Sequence, residues 1–321
     1  MLLRSIFRYS SGLAVGAFLV LGQNGFAAQL TSRQKLTVQQ ITSIFENGTT
    51  EFQYGYIEDI KDGAGVTCGR IGFTSEEIQL IVNRYSDVKN GDTPLASYLP
   101  CLRRMGTGIM KDYSCLFPSL KPEQLASDDF KKEGGLIAQV DFGKAWTDAG
   151  RDPLMRQVQD QYEEEAYYGP AIKTWVEFGL TTPLGAACIY DAIIQMDTDK
   201  LFRVTRNNFS AVHEGRDKPA DIAEEAQWLR FYLAERNAEL FATPIGAPTI
   251  GRVDSLRQIL DSGNFKLRLP LKFTYENYDF SIEDKSRFML SLDGAPFMFS
   301  PDPLPPAHWR HPSSLLRART N

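Results

Sequence analysis

The chain has 321 residues, 43% of them hydrophobic, and its 35 Lys and Arg stand against 40 Asp and Glu for a formal net charge of −5. That is enough apolar material for one large domain or two lobes sharing a cleft, and the acidic balance excludes a typical nucleic-acid binder, which needs clustered cations against phosphate. Only three histidines (His213, His308, His311) and four cysteines occur, at spacings that suit no zinc site, so a metal centre is not expected.

The N-terminus reads as a signal peptide over residues 1–27. Arg4 and Arg8 form a basic start, residues 12–21 (GLAVGAFLVL) an apolar core, and Gly25 and Ala27 supply small residues before a cut after Ala27. The core is too short for a membrane span, so a secreted protein, extracellular or periplasmic, without membrane attachment is expected. The leader carries two arginines and no acid, so its removal takes the charge from −5 to −7. An exported chain permits disulfides among Cys68, Cys101, Cys115 and Cys188. Three connectivities are open, and Cys101 with Cys115 closes the shortest loop.

Residues 35–46 place Val38, Ile41 and Phe45 on one helical face, with Glu46 at the C-terminal end and Asn47-Gly48 as a stop. Aromatics, single glycines and the turn Lys61-Asp62-Gly63-Ala64-Gly65 predict a small antiparallel sheet over 52–73. Helices are predicted over 76–85, with Ile78, Ile81, Val82 and Tyr85 on one face, and over 94–104. Residues 116–135, richer in Pro, Lys, Asp and Gly, read as a connection between lobes. Further helices are predicted over 145–161, 170–179, 184–196 and 222–240. The third is apolar almost all round, which marks a buried central helix, and it holds a single acid, Asp191. Residues 28–282 thus form the folded unit, and 283–321 a Pro- and aromatic-rich C-terminal extension.

Two carboxylates on separate elements with a hydroxyl beside one of them suit hydrolysis of a glycosidic bond, where one acid protonates the leaving oxygen and the other carboxylate activates water. Glu46 is the candidate acid, since the partial negative charge of a last helical turn disfavours ionisation there. Asp62, in a glycine-flanked turn open to water, is the candidate base, and Thr67 follows on the returning strand. Glu58 and Asp59 precede the turn and, as strand neighbours, point to opposite faces, one able to line the cleft and the other to brace the sheet. A carboxylate inside an apolar helix needs a partner. For Asp191 the best arginines are Arg236 and Arg216.

These residues resemble glycoside hydrolase family 46, the chitosanases. The run from Tyr56 to Gly65 with Thr67 and Gly72-Phe73 is similar to that family's hairpin, and residues 95–100, 157–159, 168–171, 190–193, 228–236 and 263–272 keep its order. The resemblance covers roughly residues 33–282. It implies a mainly α (α+β) lysozyme-like fold, two helical lobes with a small antiparallel sheet beside the cleft. It implies Glu46 as general acid, Asp62 as general base and Thr67 as the water-holding hydroxyl. Tyr56, Glu58 and Glu76 are implied as sugar contacts, and an Asp191–Arg236 link as support beside the acid. The implied reaction is inverting endo-hydrolysis of β-1,4 glucosaminide bonds in chitosan by a monomer that needs no cofactor. Ala64 stands where members commonly carry arginine, and Glu76 is the nearest stand-in for an aspartate that binds a sugar amine. The competing expectations are a peptidoglycan-cleaving muramidase on the same scaffold and a non-catalytic polysaccharide-binding homologue.

Overall fold

A computed structural model describes residues 29–59, 65–105, 113–131, 134–244 and 246–284. The leader, Asp62 with its turn, and residues 285–321 of the extension lie outside the described residues. Helix α1 (Ser32–Asn47) starts at Thr31, whose side chain accepts from the Gln34 backbone N–H while the Gln34 side chain accepts from the Thr31 N–H. This reciprocal cap fixes where the helix begins. Its end is set by Gly48, whose φ of 68° is the left-handed conformation that glycine adopts without strain.

Strands β1 (Ile57–Asp59), β2 (Val66–Cys68) and β3 (Phe73–Thr74) form an antiparallel sheet in that order, with Glu58 opposite Thr67 and Asp59 opposite Val66. Gly69, at the β2–β3 turn, has φ +75° and sits so close to the Gln159 side-chain oxygen that a Cβ would lie 2.5 Å from it. Helix α2 (Ser75–Val88) packs over the sheet. A single turn of 3-10 helix (Pro94–Tyr98) precedes α3 (Leu99–Met105), so the one helix expected over 94–104 is split after a proline start.

The stretch read as a connection between lobes carries secondary structure of its own. It holds two short helices, α4 (Pro122–Leu125) and α5 (Asp128–Lys131), and packs toward β1 through residues 136–138. Its anchors are aromatic: Phe117 and Phe130 are fully buried and meet edge to face at 4.9 Å. Cys101 and Cys115 form a disulfide that ties α3 to the residue just before this stretch, while Cys68 and Cys188 are buried free thiols. Closing a loop of 14 residues restricts the unfolded chain, so reduction is expected to cost about 3 kcal/mol of stability. Urea unfolding with and without reductant measures it, and equal midpoints would contradict the expectation.

The helix expected over 145–161 is two: α6 (Asp141–Ala149) and α7 (Pro153–Glu163). Pro153 cannot continue α6, and Asp152 caps the new helix by accepting from the Leu154 N–H at 2.9 Å. A π-helical turn, Glu164–Tyr168, joins α7 to α8 (Gly169–Glu177). The large lobe follows: α9 (Pro183–Gln195), α10 (Asp199–Val212), α11 (Ile222–Phe241), α12 (Gly251–Asp261) and the hairpin β4 (Leu271–Tyr275) and β5 (Tyr278–Ile282). Helix α9 is the buried centre, packed by α1, α8, α11 and α12. At roughly 25 cal/mol per Å² of apolar surface, its run of buried residues is a main source of stability.

Candidate active site

The last turn of α1 is fixed from three sides. Asn47 donates its side-chain amide to the Arg70 carbonyl at 3.2 Å, tying the helix end to the β2–β3 turn and so to the sheet that carries Thr67. The Phe45 carbonyl, among the four a helix leaves unpaired at its C-terminus, accepts from Arg252 Nη2 and Tyr275 Oη, both at 3.3 Å. Glu46 lies between these anchors, its side chain 13% exposed and its Oε1 2.7 Å from Arg252 Nη1.

Behind Glu46 the charges alternate. Arg252 Nη1 also lies 3.3 Å from Asp191 Oδ1, and Asp191 Oδ2 accepts from Arg236 Nη2 at 2.5 Å. Asp191 and Arg236 are fully buried. Arg236 also meets the Gln195 side-chain oxygen and the Tyr232 hydroxyl, which donates to the Cys188 carbonyl at 2.6 Å. Arg216, the other arginine considered for Asp191, lies elsewhere and pairs with Glu224. Burial alone would lower the Arg252 pKa, but the Glu46 and Asp191 carboxylates outweigh it and raise it. The same balance, with Tyr232 and Asp191 opposing burial, raises Arg236. Both guanidiniums are therefore permanent cations, and Asp191 is shared between them.

Sequence reasoning missed Arg252. It falls in register with Leu256 and Ile259 on the buried face of α12, and an arginine on an apolar stripe is the signal that could have found it. It also missed Glu276, at the β4–β5 turn, whose pKa is raised by burial with Arg252 pulling the other way.

The remaining candidates divide. Thr67 is 5% exposed, and its hydroxyl is buried without a hydrogen-bond partner among the described residues. Glu76, in the first turn of α2, likewise leaves Oε1 buried and unpartnered, whereas the neighbouring Glu77 closes the helix by accepting from the Thr74 N–H at 3.0 Å. Glu58 is different from what was expected. It is 3% exposed and accepts from the Tyr56 hydroxyl at 2.6 Å, so the pair faces inward and neither is an open sugar contact here. Two adjacent strand acids are both buried because helix α6 and the 136–138 turn cover the side of β1 that solvent would otherwise reach. Asp62 lies outside the described residues, three positions beyond the end of β1.

A carboxyl group on a rigid helix end and, among the described residues, a hydroxyl without a hydrogen-bond partner on the neighbouring sheet suit acid–base hydrolysis of a sugar polymer. Comparison with known proteins agrees. The profile of glycosyl hydrolase family 46 matches residues 40–271. A chitosanase of Bacillus subtilis (strain 168) is 34% identical over 275 residues, covering 81% of this chain and 88% of its own length. A chitosanase of Nocardioides sp. (strain N106) is 30% identical, covering 75% and 78%. Among solved structures, native chitosanase from Bacillus subtilis MY002 matches with a TM-score of 0.64 and 32% identity over 79% of this chain and all of its own. A Gynuella sunshinyii family 46 chitosanase in complex with chitotetraose matches with 0.63 and 32% over 80% of this chain and all of its own. The helical lobes and small sheet are therefore the lysozyme-like arrangement, and this chain belongs to glycosyl hydrolase family 46.

Proposed function

We propose that this chain is an exported, endo-acting chitosanase that cleaves β-1,4 bonds between glucosamine units with inversion at the anomeric carbon. Relatives over most of the chain are chitosanases, and one matching structure holds chitotetraose. The observation that carries the reading is Glu46, held by backbone anchors at the end of α1 yet partly open to solvent. Glu46 protonates the bridging oxygen. Asp62 takes a proton from water attacking the opposite face, and the Thr67 hydroxyl holds that water. Inversion requires the carboxyls to stand roughly 6.5–9.5 Å apart so that water fits between them.

Charge supports a cationic substrate. A mature chain at −7 attracts a glucosamine polymer and repels the anionic cell-wall polymer a muramidase would take. The half-buried Glu76 carboxyl at the start of α2 offers a counter-ion to a sugar ammonium. The leader over 1–27 and the Cys101–Cys115 disulfide support export, and no helix among the described residues is long and apolar enough to cross a membrane.

Digestion of deacetylated chitosan followed by NMR tests the reading. The first products are expected to carry the α anomer at the new reducing end, with no comparable release from peptidoglycan. Initial β product, or faster cleavage of cell-wall material, would overturn it, and binding without new reducing ends would leave only a binding protein.

A further inference from the structure

The small lobe contains a second polar cluster, close to the hairpin but outside the Glu46 network. Asp59 closes the β1–β2 ladder opposite Val66, and the six residues between them carry Asp62. Its side chain is buried at 5% exposure, and Oδ2 receives a hydrogen bond from Tyr113 Oη at 2.6 Å with Lys131 Nζ at 3.8 Å. Lys131 lies in the segment read as an interlobe connection, and Tyr113 three residues before it. The Tyr113 ring stacks on Phe130 at 6.2 Å and meets Phe117 edge-on at 6.1 Å, Lys131 follows Phe130, and Cys115, two residues beyond Tyr113, is tied to α3 by the disulfide.

A carboxylate so buried is a costly way to fill space, and an apolar side chain would serve packing better. What a charge-assisted hydrogen bond adds is direction. Burial, reinforced by the bond to Asp59, pushes the Tyr113 pKa upward, so the hydroxyl stays a donor. We propose that Asp59, Tyr113 and Lys131 are positioning residues for the general base: they clamp the end of β1 to a disulfide-fastened aromatic cluster and thereby fix the point from which the chain departs toward Asp62. The inference rests on the reading of Asp62 as the base. It deepens that reading by assigning the alignment of the water-activating carboxylate to a segment remote in sequence.

Tyr113→Phe removes one oxygen and keeps the stacked ring. Misplacement of a reacting group by a fraction of an ångström lowers kcat while leaving substrate binding alone, so kcat on chitosan is expected to fall about tenfold with KM held within about twofold. The thermal midpoint should stay close to that of the parent. Added to Asp62→Asn, the same substitution should cost nothing more, because no base remains to be aligned. Parent-like kcat in Tyr113→Phe overturns the clamp, as does a further tenfold loss in the double variant or a kcat loss matched by collapse of the midpoint. An active Asp62→Asn would instead remove the base assignment on which the clamp depends. A dead Asp62→Asn with a fully active Tyr113→Phe would remove the clamp alone.

Discussion

Glu46→Gln is expected to abolish nearly all turnover on chitosan while leaving the fold in place. Proton donation by a positioned carboxyl contributes on the order of 10²–10⁴ in rate, and an amide cannot supply that proton. The substitution keeps the side chain's shape and leaves an oxygen able to accept from Arg252, which retains Asp191 as a counter-ion. The backbone anchors on Phe45 and Asn47 do not involve the carboxyl at all. The kinetic pattern should be a collapse of kcat with KM little changed, the signature of an interaction made only in the transition state. Asp62→Asn should give a loss of the same order, since the attacking water then has no carboxylate to take its proton. Rates from reducing-end release, read beside circular dichroism of each variant, decide the matter. Parent-like kcat in a folded Glu46→Gln would end its assignment as the acid.

The parts of the fold legible in the sequence were those written in local pattern. The capped amphipathic α1 with its Asn47-Gly48 stop, the apolar α9 and the hairpin around Thr67 each carry a period or a turn that few other structures satisfy. Asp191 stood out because a lone acid in an apolar run demands a partner. What stayed hidden was set by tertiary contact. Helices α10 and α12 and the β4–β5 hairpin were not predicted, and with α12 went Arg252, which pairs with residues 61 and 206 positions away. The inward turn of Glu58 toward Tyr56 was equally invisible, because strand alternation assigns faces without saying whether another element covers them. The break between α6 and α7, by contrast, was marked by Gly150 and Pro153 and could have been read.

Asp191→Asn is expected to be strongly destabilising although it keeps the side chain's shape. Arg236 is fully buried, and the other neighbours of its guanidinium, Gln195 and Tyr232, bring dipoles and no charge. Without Asp191, two buried guanidiniums would lie together, with Glu46 bonded to Arg252 and no other carboxylate ion-paired with Arg236 among the described residues. Breaking a buried ion pair by removing one partner costs about 3–5 kcal/mol, which in a domain of this size lowers Tm by roughly 10 °C. The double variant Asp191→Leu/Arg236→Met should recover much of that loss, since replacing both partners by apolar groups leaves no stranded charge. Recovery should not extend to turnover. Arg252 is held between Asp191 and Glu46, so in either variant the guanidinium loses one of the two carboxylates that fix it, and the Glu46 carboxyl loses a fixed neighbour. Calorimetry alongside kcat measured well below the midpoint separates the two effects: stability restored with activity still depressed is the expected result. Parent-like activity in the double variant would reduce Asp191 to a core residue with no part in orienting the acid.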